Sequence, residues 1–119
     1  DISAGIMARK AMKITGSNIN ATGSPDARTS CGIRGSKSIF IQNSNINATG
    51  GSFGIVASGE SMGIVSSNVE AHGGKAALKA KDAMSFAGVS GGVPGEKNDR
   101  WYVLNGNKRA ADVKLTVAQ

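Results

Sequence analysis

Carboxylic acids are the first candidates for chemistry, because enzymes that hydrolyse glycans use two carboxyl groups about 5–10 Å apart. The chain has eight Asp and Glu residues, and they are scattered along its length. Glu60 and Asp82 occupy nearly equivalent positions in neighbouring repeats, but two adjacent surface acids are commonly only solvated. We therefore assign no catalytic residue and expect the chain not to be an enzyme.

The single histidine and the single cysteine offer little further chemistry. His72 is expected to point outward beside Thr22 and Thr49, without an acidic or nucleophilic neighbour. Cys31 has no partner for an intramolecular disulfide, and no CxxC or Cys/His metal pattern is present. A lone cysteine is commonly a small buried residue. We expect no metal site and no cofactor.

Basic side chains give the most suggestive pattern. The chain has 14 Lys and Arg residues, a net charge of +6 and a pI of about 9.8. Six of the cations fall at outward positions of the first strand of each repeat and the corner that follows it: Arg9, Lys10, Arg34, Lys37, Lys79 and Lys81. Stacked at about 4.8 Å, three or four of them would form a stripe suited to carboxylate or sulfate groups on a polymer. Alternatively, these charges serve only to keep a β stack soluble. The sequence leaves both interpretations open.

Other partner classes are poorly matched. No recognised nucleic-acid-binding module and no aromatic residues interleaved with the cations are present. Neither a signal peptide nor an apolar run of about 18 residues occurs. The sequence starts within a repeat, which predicts that it is an internal piece of a longer protein.

An internal repeat supplies the elements that would position these residues. The phrase ITGSNINATG at residues 14–23 recurs as IQNSNINATG at 41–50 and, more loosely, as IVSSNVEAHG at 64–73. Equivalent positions are 27 and then 22 to 23 residues apart. A loop-like insertion at residues 24–30 explains the longer first interval.

Within each repeat the apolar residues come in pairs two apart, which is the period of a β-strand. Three such pairs per repeat predict three short strands per coil, so we expect an all-β, right-handed parallel β-helix of about four coils. Helical repeats are excluded by this spacing and by the β-branched and glycine content, and the leucine-rich repeat consensus is absent.

Stacking aligns like residues in columns. Ile14, Ile41 and Ile64 are expected in one buried column, continued by Phe86. Two further columns are expected at corners: an asparagine column whose amides bond from coil to coil, and a glycine column that would permit positive φ. They are Asn18, Asn45 and Asn68, and Gly23, Gly50 and Gly73.

The repeat ends near residue 93. Residues 100–104 and 112–117 read as two strands, which we expect to form a C-terminal β-hairpin that caps the last coil with Trp101 and Tyr102. The predicted domains are a parallel β-helix at 1–93 and a capping hairpin or linker module at 94–119.

The repeat phrase resembles that of carbohydrate-binding β-helix domains of bacterial cell-surface and secreted proteins, which share their architecture with pectate lyases. The resemblance covers about residues 4–90. It implies a secreted binder of acidic plant polysaccharides, assisted by calcium, yet the clustered carboxylates that calcium would require are missing here.

These observations predict a non-catalytic segment of a bacterial extracellular or surface protein that binds carbohydrate, with acidic polysaccharide as the expected partner, or mediates adhesion. A purely structural spacer or stalk is one alternative. A degenerate polysaccharide lyase or glycoside hydrolase fragment is the other.

Overall fold

The structure is a computed structural model that describes residues 2–24 and 29–118. The described residues form β-strands and their connections. The strands are β1 (Ile2–Ala8), β2 (Met12–Thr15), β3 (Asn18–Thr22), β4 (Thr29–Gly35), β5 (Ile39–Gln42), β6 (Asn45–Gly50), β7 (Phe53–Ala57), β8 (Ser61–Val65), β9 (Asn68–Gly73), β10 (Ala76–Ala80), β11 (Ala83–Ala87), β12 (Val89–Ser90), β13 (Pro94–Lys97), β14 (Arg100–Asn105), β15 (Lys108–Arg109) and β16 (Asp112–Val117). The centre of the predicted insertion, residues 25–28, lies outside the described residues, whereas residues 29 and 30 belong to β4 rather than to a loop.

The strands stack coil upon coil into three sheets. Sheet A contains β1, β4, β7 and β10, sheet B contains β2, β5, β8 and β11, and sheet C contains β3, β6 and β9. Every pairing within these sets is parallel. The chain is thus a β-solenoid of about four coils, as the period-two pattern predicted; its right-handed sense stays a prediction.

Isoleucine columns fill the interior in the predicted register. Ile14 pairs with Ile41, and Ile41 pairs with Ile64. Ile41 and Ile64 are completely buried, and Ile14 is nearly so. The same core includes Ile33, Ile55 and Leu78 of sheet A and Ile46 and Val69 of sheet C. Each side chain is covered by its copies in the adjacent coils, so burial depends on the stack rather than on a single coil.

The glycine column is present, but the expected reason for it was wrong. Gly23, Gly50 and Gly73 are not among the glycines with positive φ. Instead they lie where two backbone segments approach closely. A Cβ atom on Gly50 would lie 2.5 Å from the Ser30 carbonyl oxygen and 2.6 Å from the Cys31 Cα. The corner requires glycine because it leaves no space for a side chain.

The C-terminal strands differ from the predicted hairpin. β14 pairs antiparallel with β10 of sheet A, and β16 pairs antiparallel with β9 of sheet C. The predicted strands at 100–104 and 112–117 therefore exist, but they join different sheets instead of each other. Two other hairpins form instead, one between β13 and β14 and one between β14 and β15. The first turns through Asn98 and Asp99, whose φ angles of 53° and 61° suit a tight two-residue turn.

The two reversed strands take part in the solenoid core. Val103 of β14 and Val113 and Leu115 of β16 are buried in the same cluster as the isoleucine columns, and Trp101 packs against it. Tyr102, by contrast, lies in a second cluster with Cys31, Phe53 and Val56. The register of β14 therefore directs one aromatic ring inward and the other outward.

Candidate functional sites on two faces of the solenoid

The six predicted cations do not share one column. Arg34 and Lys79 do occupy one outward column of sheet A, with the buried Val56 between them. In the first coil this position holds Met7, which is exposed. The other four cations, Arg9, Lys10, Lys37 and Lys81, lie in the turns that follow β1, β4 and β10.

Among these turn residues, Lys10 and Lys37 occupy equivalent positions in adjacent coils, because the residues on both sides of them are in register. Arg9 belongs to the first coil and Lys81 to the fourth. Arg34 thus shares a column with Lys79, and Lys10 shares one with Lys37. Arg9 and Lys81 are separated from each other by the two coils in between. Their role in binding stays a prediction.

Aromatic rings support the cations on the outer side of sheet A. The Lys79 Nζ lies 4.9 Å from the centroid of the Phe53 ring, and the Arg109 Cζ lies 5.5 Å from that of Tyr102. Both separations are typical of cation–π contacts. We call Arg34, Lys79 and Arg109 the cationic face. Arg109 was not predicted from the sequence, because only the pairing of β14 with β10 brings Tyr102 beside Lys79.

Among the residues that the structure describes, no carboxylate pairs with Arg34, Lys79 or Arg109. In residues 2–24 and 29–118, the ion pairs within 4.0 Å both involve His72. Arg34, Lys79 and Arg109 therefore have no carboxylate partner among these residues and can meet an external anion.

Cys31 lies beneath the cationic face and is fully buried, as the sequence predicted. Burial raises the pKa of its thiol, although the nearby charges of Arg34 and Lys79 act in the opposite direction. The thiol is therefore protonated at neutral pH and inaccessible, which makes it a packing residue.

The outer side of sheet C carries the predicted asparagine column. The Asn45 amide donates to the Asn18 Oδ1 over 2.8 Å, and the Asn68 amide donates to the Asn45 Oδ1 over 2.8 Å. The Val117 N–H of β16 donates to the Asn68 Oδ1 over 3.0 Å. Hydrogen bonding from coil to coil is thus confirmed, and β16 is linked to the end of the column.

A groove of about 560 Å³ runs beside this asparagine column. Its floor is the backbone of β3, β6, β9 and β16, at residues whose side chains point into the core. Its walls are two outward columns of side chains: Asn18, Asn45, Asn68 and Thr116 on one side, and Asn20, Asn47, Glu70 and Lys114 on the other. We call it the amide groove. From the sequence, the asparagines were predicted only as corner residues and the groove was not predicted, although the repeated Asn-x-Asn spacing is the signal for two parallel columns.

His72 has two acidic neighbours, contrary to the expectation from the sequence. Its Nδ1 lies 2.7 Å from the Asp112 Oδ1, and its Nε2 lies 3.0 Å from the Glu70 Oε2. Glu70 is two residues from His72 on the same face of β9, so its contact with His72 could have been predicted from the sequence. Asp112 arrives only through the register of β16. Hydrogen bonds to Asp112 and Glu70 raise the pKa of His72.

This cluster predicts a pH dependence of stability. Only the imidazolium can donate to both carboxylates at once, and its folded-state pKa is raised above the ordinary value of 6.5. The stabilisation should therefore be complete below about pH 6.5 and should be lost as the pH rises through the folded pKa. We expect the difference in urea midpoint between the wild type and His72→Gln to be larger at pH 5.5 than at pH 8.5. The pKa of this histidine can be measured by NMR titration. A value at or below 6.5 would contradict the hydrogen bonds from His72 to Glu70 and Asp112.

The other candidate acids show no comparable convergence. Glu60 and Asp82 do lie on adjacent coils, since the Asp82 N–H donates to the Glu60 carbonyl oxygen over 2.9 Å. The Glu60 Oε1 accepts a hydrogen bond from the Ser38 hydroxyl over 2.7 Å. Asp26 lies outside the described residues. Within the part of the chain that the structure describes, no group of three His, Cys, Asp or Glu side chains has the arrangement of a metal site. The same residues include no helical segment with the length and hydropathy of a membrane span.

Comparison with known proteins yields no relative. No family model, no curated protein and no solved structure matches this chain. A function for this chain is therefore inferred from its own residues and their geometry.

Proposed function

We propose that this chain is a non-catalytic, carbohydrate-binding segment of a bacterial surface or secreted protein, and that it holds acidic polysaccharide on the cationic face. The observation that carries the proposal is the arrangement of Arg34, Lys79 and Arg109 on the outer side of sheet A. Two of the three lie over aromatic rings, and none has a carboxylate partner within residues 2–24 and 29–118. The resemblance of the repeat phrase to carbohydrate-binding β-helix domains supports the same ligand class.

The spacing of the cations suits a polymer better than a small anion. Arg34 and Lys79 are two coils apart, which corresponds to roughly 10 Å at the usual distance between strands. One small carboxylate cannot reach both, whereas successive acidic residues of an extended chain can. Each exposed ion pair contributes only about 0.2–1 kcal/mol, so affinity would come from several simultaneous contacts along one polymer.

Binding to acidic glycans at two salt concentrations tests the proposal. We expect the wild type to be retained by polygalacturonate or a sulfated glycan in affinity electrophoresis, and retention to fall at high salt because exposed charges are screened. Arg34→Ala/Lys79→Ala should weaken binding about tenfold, which is about 1.4 kcal/mol for two lost ion pairs. Lys13→Ala/Lys114→Ala is the matched control: it removes the same charge from sheets B and C and should leave most of the binding.

The remaining outcomes decide between the alternatives. If the wild type is retained by no acidic glycan, the proposal fails, and a structural spacer becomes the better explanation. Equal loss in the two double variants would show that net charge, not the cationic face, governs retention. Cleavage of polygalacturonate that disappears in Glu60→Gln or Asp82→Asn would instead support the enzyme alternative.

A further inference from the structure

The amide groove presents the same chemical groups on successive coils. Residues 18–22 and 45–49 have the identical sequence NINAT and pair in exact parallel register. Their outward asparagines therefore repeat at the distance between neighbouring strands, about 4.8 Å. A ligand that lies in the groove meets this repeat along the solenoid axis, across the strands.

Part of the hydrogen-bonding capacity of the groove is unused within the protein. Each amide of the Asn18, Asn45 and Asn68 column is already bonded to its neighbour. Asn20 and Asn47, in the opposite wall, make no side-chain hydrogen bond to any residue that the structure describes, and both are exposed. A side-chain amide carries two donors and one acceptor, so these two residues offer several polar contacts to a ligand.

The charge of the groove argues against a polyanion. The charged residues in its walls are one acid and one base, Glu70 and Lys114, which occupy paired positions of β9 and β16, so that the walls carry no net charge. A phosphate or carboxylate chain would meet one carboxylate and gain one cation. An uncharged ligand pays no such penalty, and its hydroxyl groups match amide donors and acceptors. The open groove crosses four strands, which suits an extended chain better than a compact molecule.

We propose that the amide groove is a second binding site, separate from the cationic face, for a single extended chain of an uncharged polysaccharide that lies across the coils of sheet C. Asn20 and Asn47 make the specific hydrogen bonds, and the bonded asparagine column forms a rigid opposite wall. This site does not depend on the proposed binding of acidic polysaccharide, because it uses a different face and different chemistry.

Affinity electrophoresis in gels containing soluble xylan, mixed-linkage glucan, mannan or starch tests the site. We expect at least one of these neutral polymers to retain the wild type equally at low and high salt. Asn20→Ala/Asn47→Ala should weaken that retention about tenfold, because the variant loses the hydrogen bonds of two amides to the polymer. Thr22→Ala/Thr49→Ala is the matched control, because these exposed threonines lie on the same two strands but outside the groove.

All four altered side chains are exposed, so wild-type urea midpoints are expected for both double variants. The proposal is overturned if no neutral polymer retains the wild type, if retention disappears at high salt, or if the asparagine variant binds as well as the threonine variant. Retention by acidic glycans alone, sensitive to Arg34→Ala/Lys79→Ala, would overturn this site and leave the cationic face standing. Retention by neutral polymers alone would support the amide groove and overturn the binding of acidic polysaccharide on the cationic face.

Discussion

Replacing Gly50 by alanine should destabilise the protein by about 3 kcal/mol or more, at or above the upper end of the usual cost of overpacking. Gly50 ends β6 at a buried corner, where the added Cβ would collide with the carbonyl oxygens of Phe53 and Ser30 and with the Cα of Cys31. All three are backbone atoms of stacked strands, so none of them can rotate away. Domains of this size are stable by only about 5–15 kcal/mol, and a large fraction of that would be lost. Urea unfolding, followed by the fluorescence of the single tryptophan, measures the change.

Gly51 provides a matched control one residue further along. A Cβ on Gly51 would have its nearest neighbour, the Ser30 Cβ, at 3.5 Å, which is an ordinary contact. The residue is exposed, and its φ is not in the left-handed region. Gly51→Ala should therefore change stability by no more than about 0.5 kcal/mol. Equal midpoints for the two variants would mean that the corner is not as close-packed as described.

Truncating Ile41 to alanine should cost about 2–5 kcal/mol, the usual range for a fully buried isoleucine. Ile41 is completely buried and lies between Ile14 and Ile64 in one column. The cavity would open in the middle of the stack, where coils on both sides hold the backbone in place and limit its collapse. The urea midpoint should fall with little change in the slope of the transition.

Phe40, on the opposite face of the same strand, is the control for this experiment. Its side chain points outward and is 37% exposed, so Phe40→Ala should cost only about 1 kcal/mol. A larger loss for Phe40 than for Ile41 would contradict the assignment of inner and outer faces. The comparison thus tests the period-two pattern itself, because the two residues are neighbours on one strand and occupy opposite faces.

The parallel coils were predictable because their information is local and repeated. Each coil carries the same alternation of apolar and polar residues, and each column, such as Ile14, Ile41 and Ile64, is visible by aligning the repeats. The asparagine column followed from the same alignment. The reason for glycine at position 50 did not follow from the alignment. A glycine required by positive φ and a glycine required by a close backbone approach look identical in a sequence.

The reversed strands were beyond this kind of reasoning. β14 and β16 are not copies of the repeat, so nothing in their sequence states which sheet edge each one joins. Their pairings bring Arg109 and Tyr102 to Lys79, and Asp112 to His72. A hairpin between them was the simpler expectation, and it would have produced neither cluster.

The amino-acid sequence by itself determined the β-solenoid, its three strands per coil and the contents of its core, because a period of two repeated in register leaves one way to bury the isoleucines. The tertiary structure decided how the outer faces are completed. The partners of His72, the extent of the cationic face and the end of the amide groove all depend on two antiparallel pairings between segments distant in the chain. Such pairings are chosen by the edges that the finished coils leave open, and no local pattern encodes them.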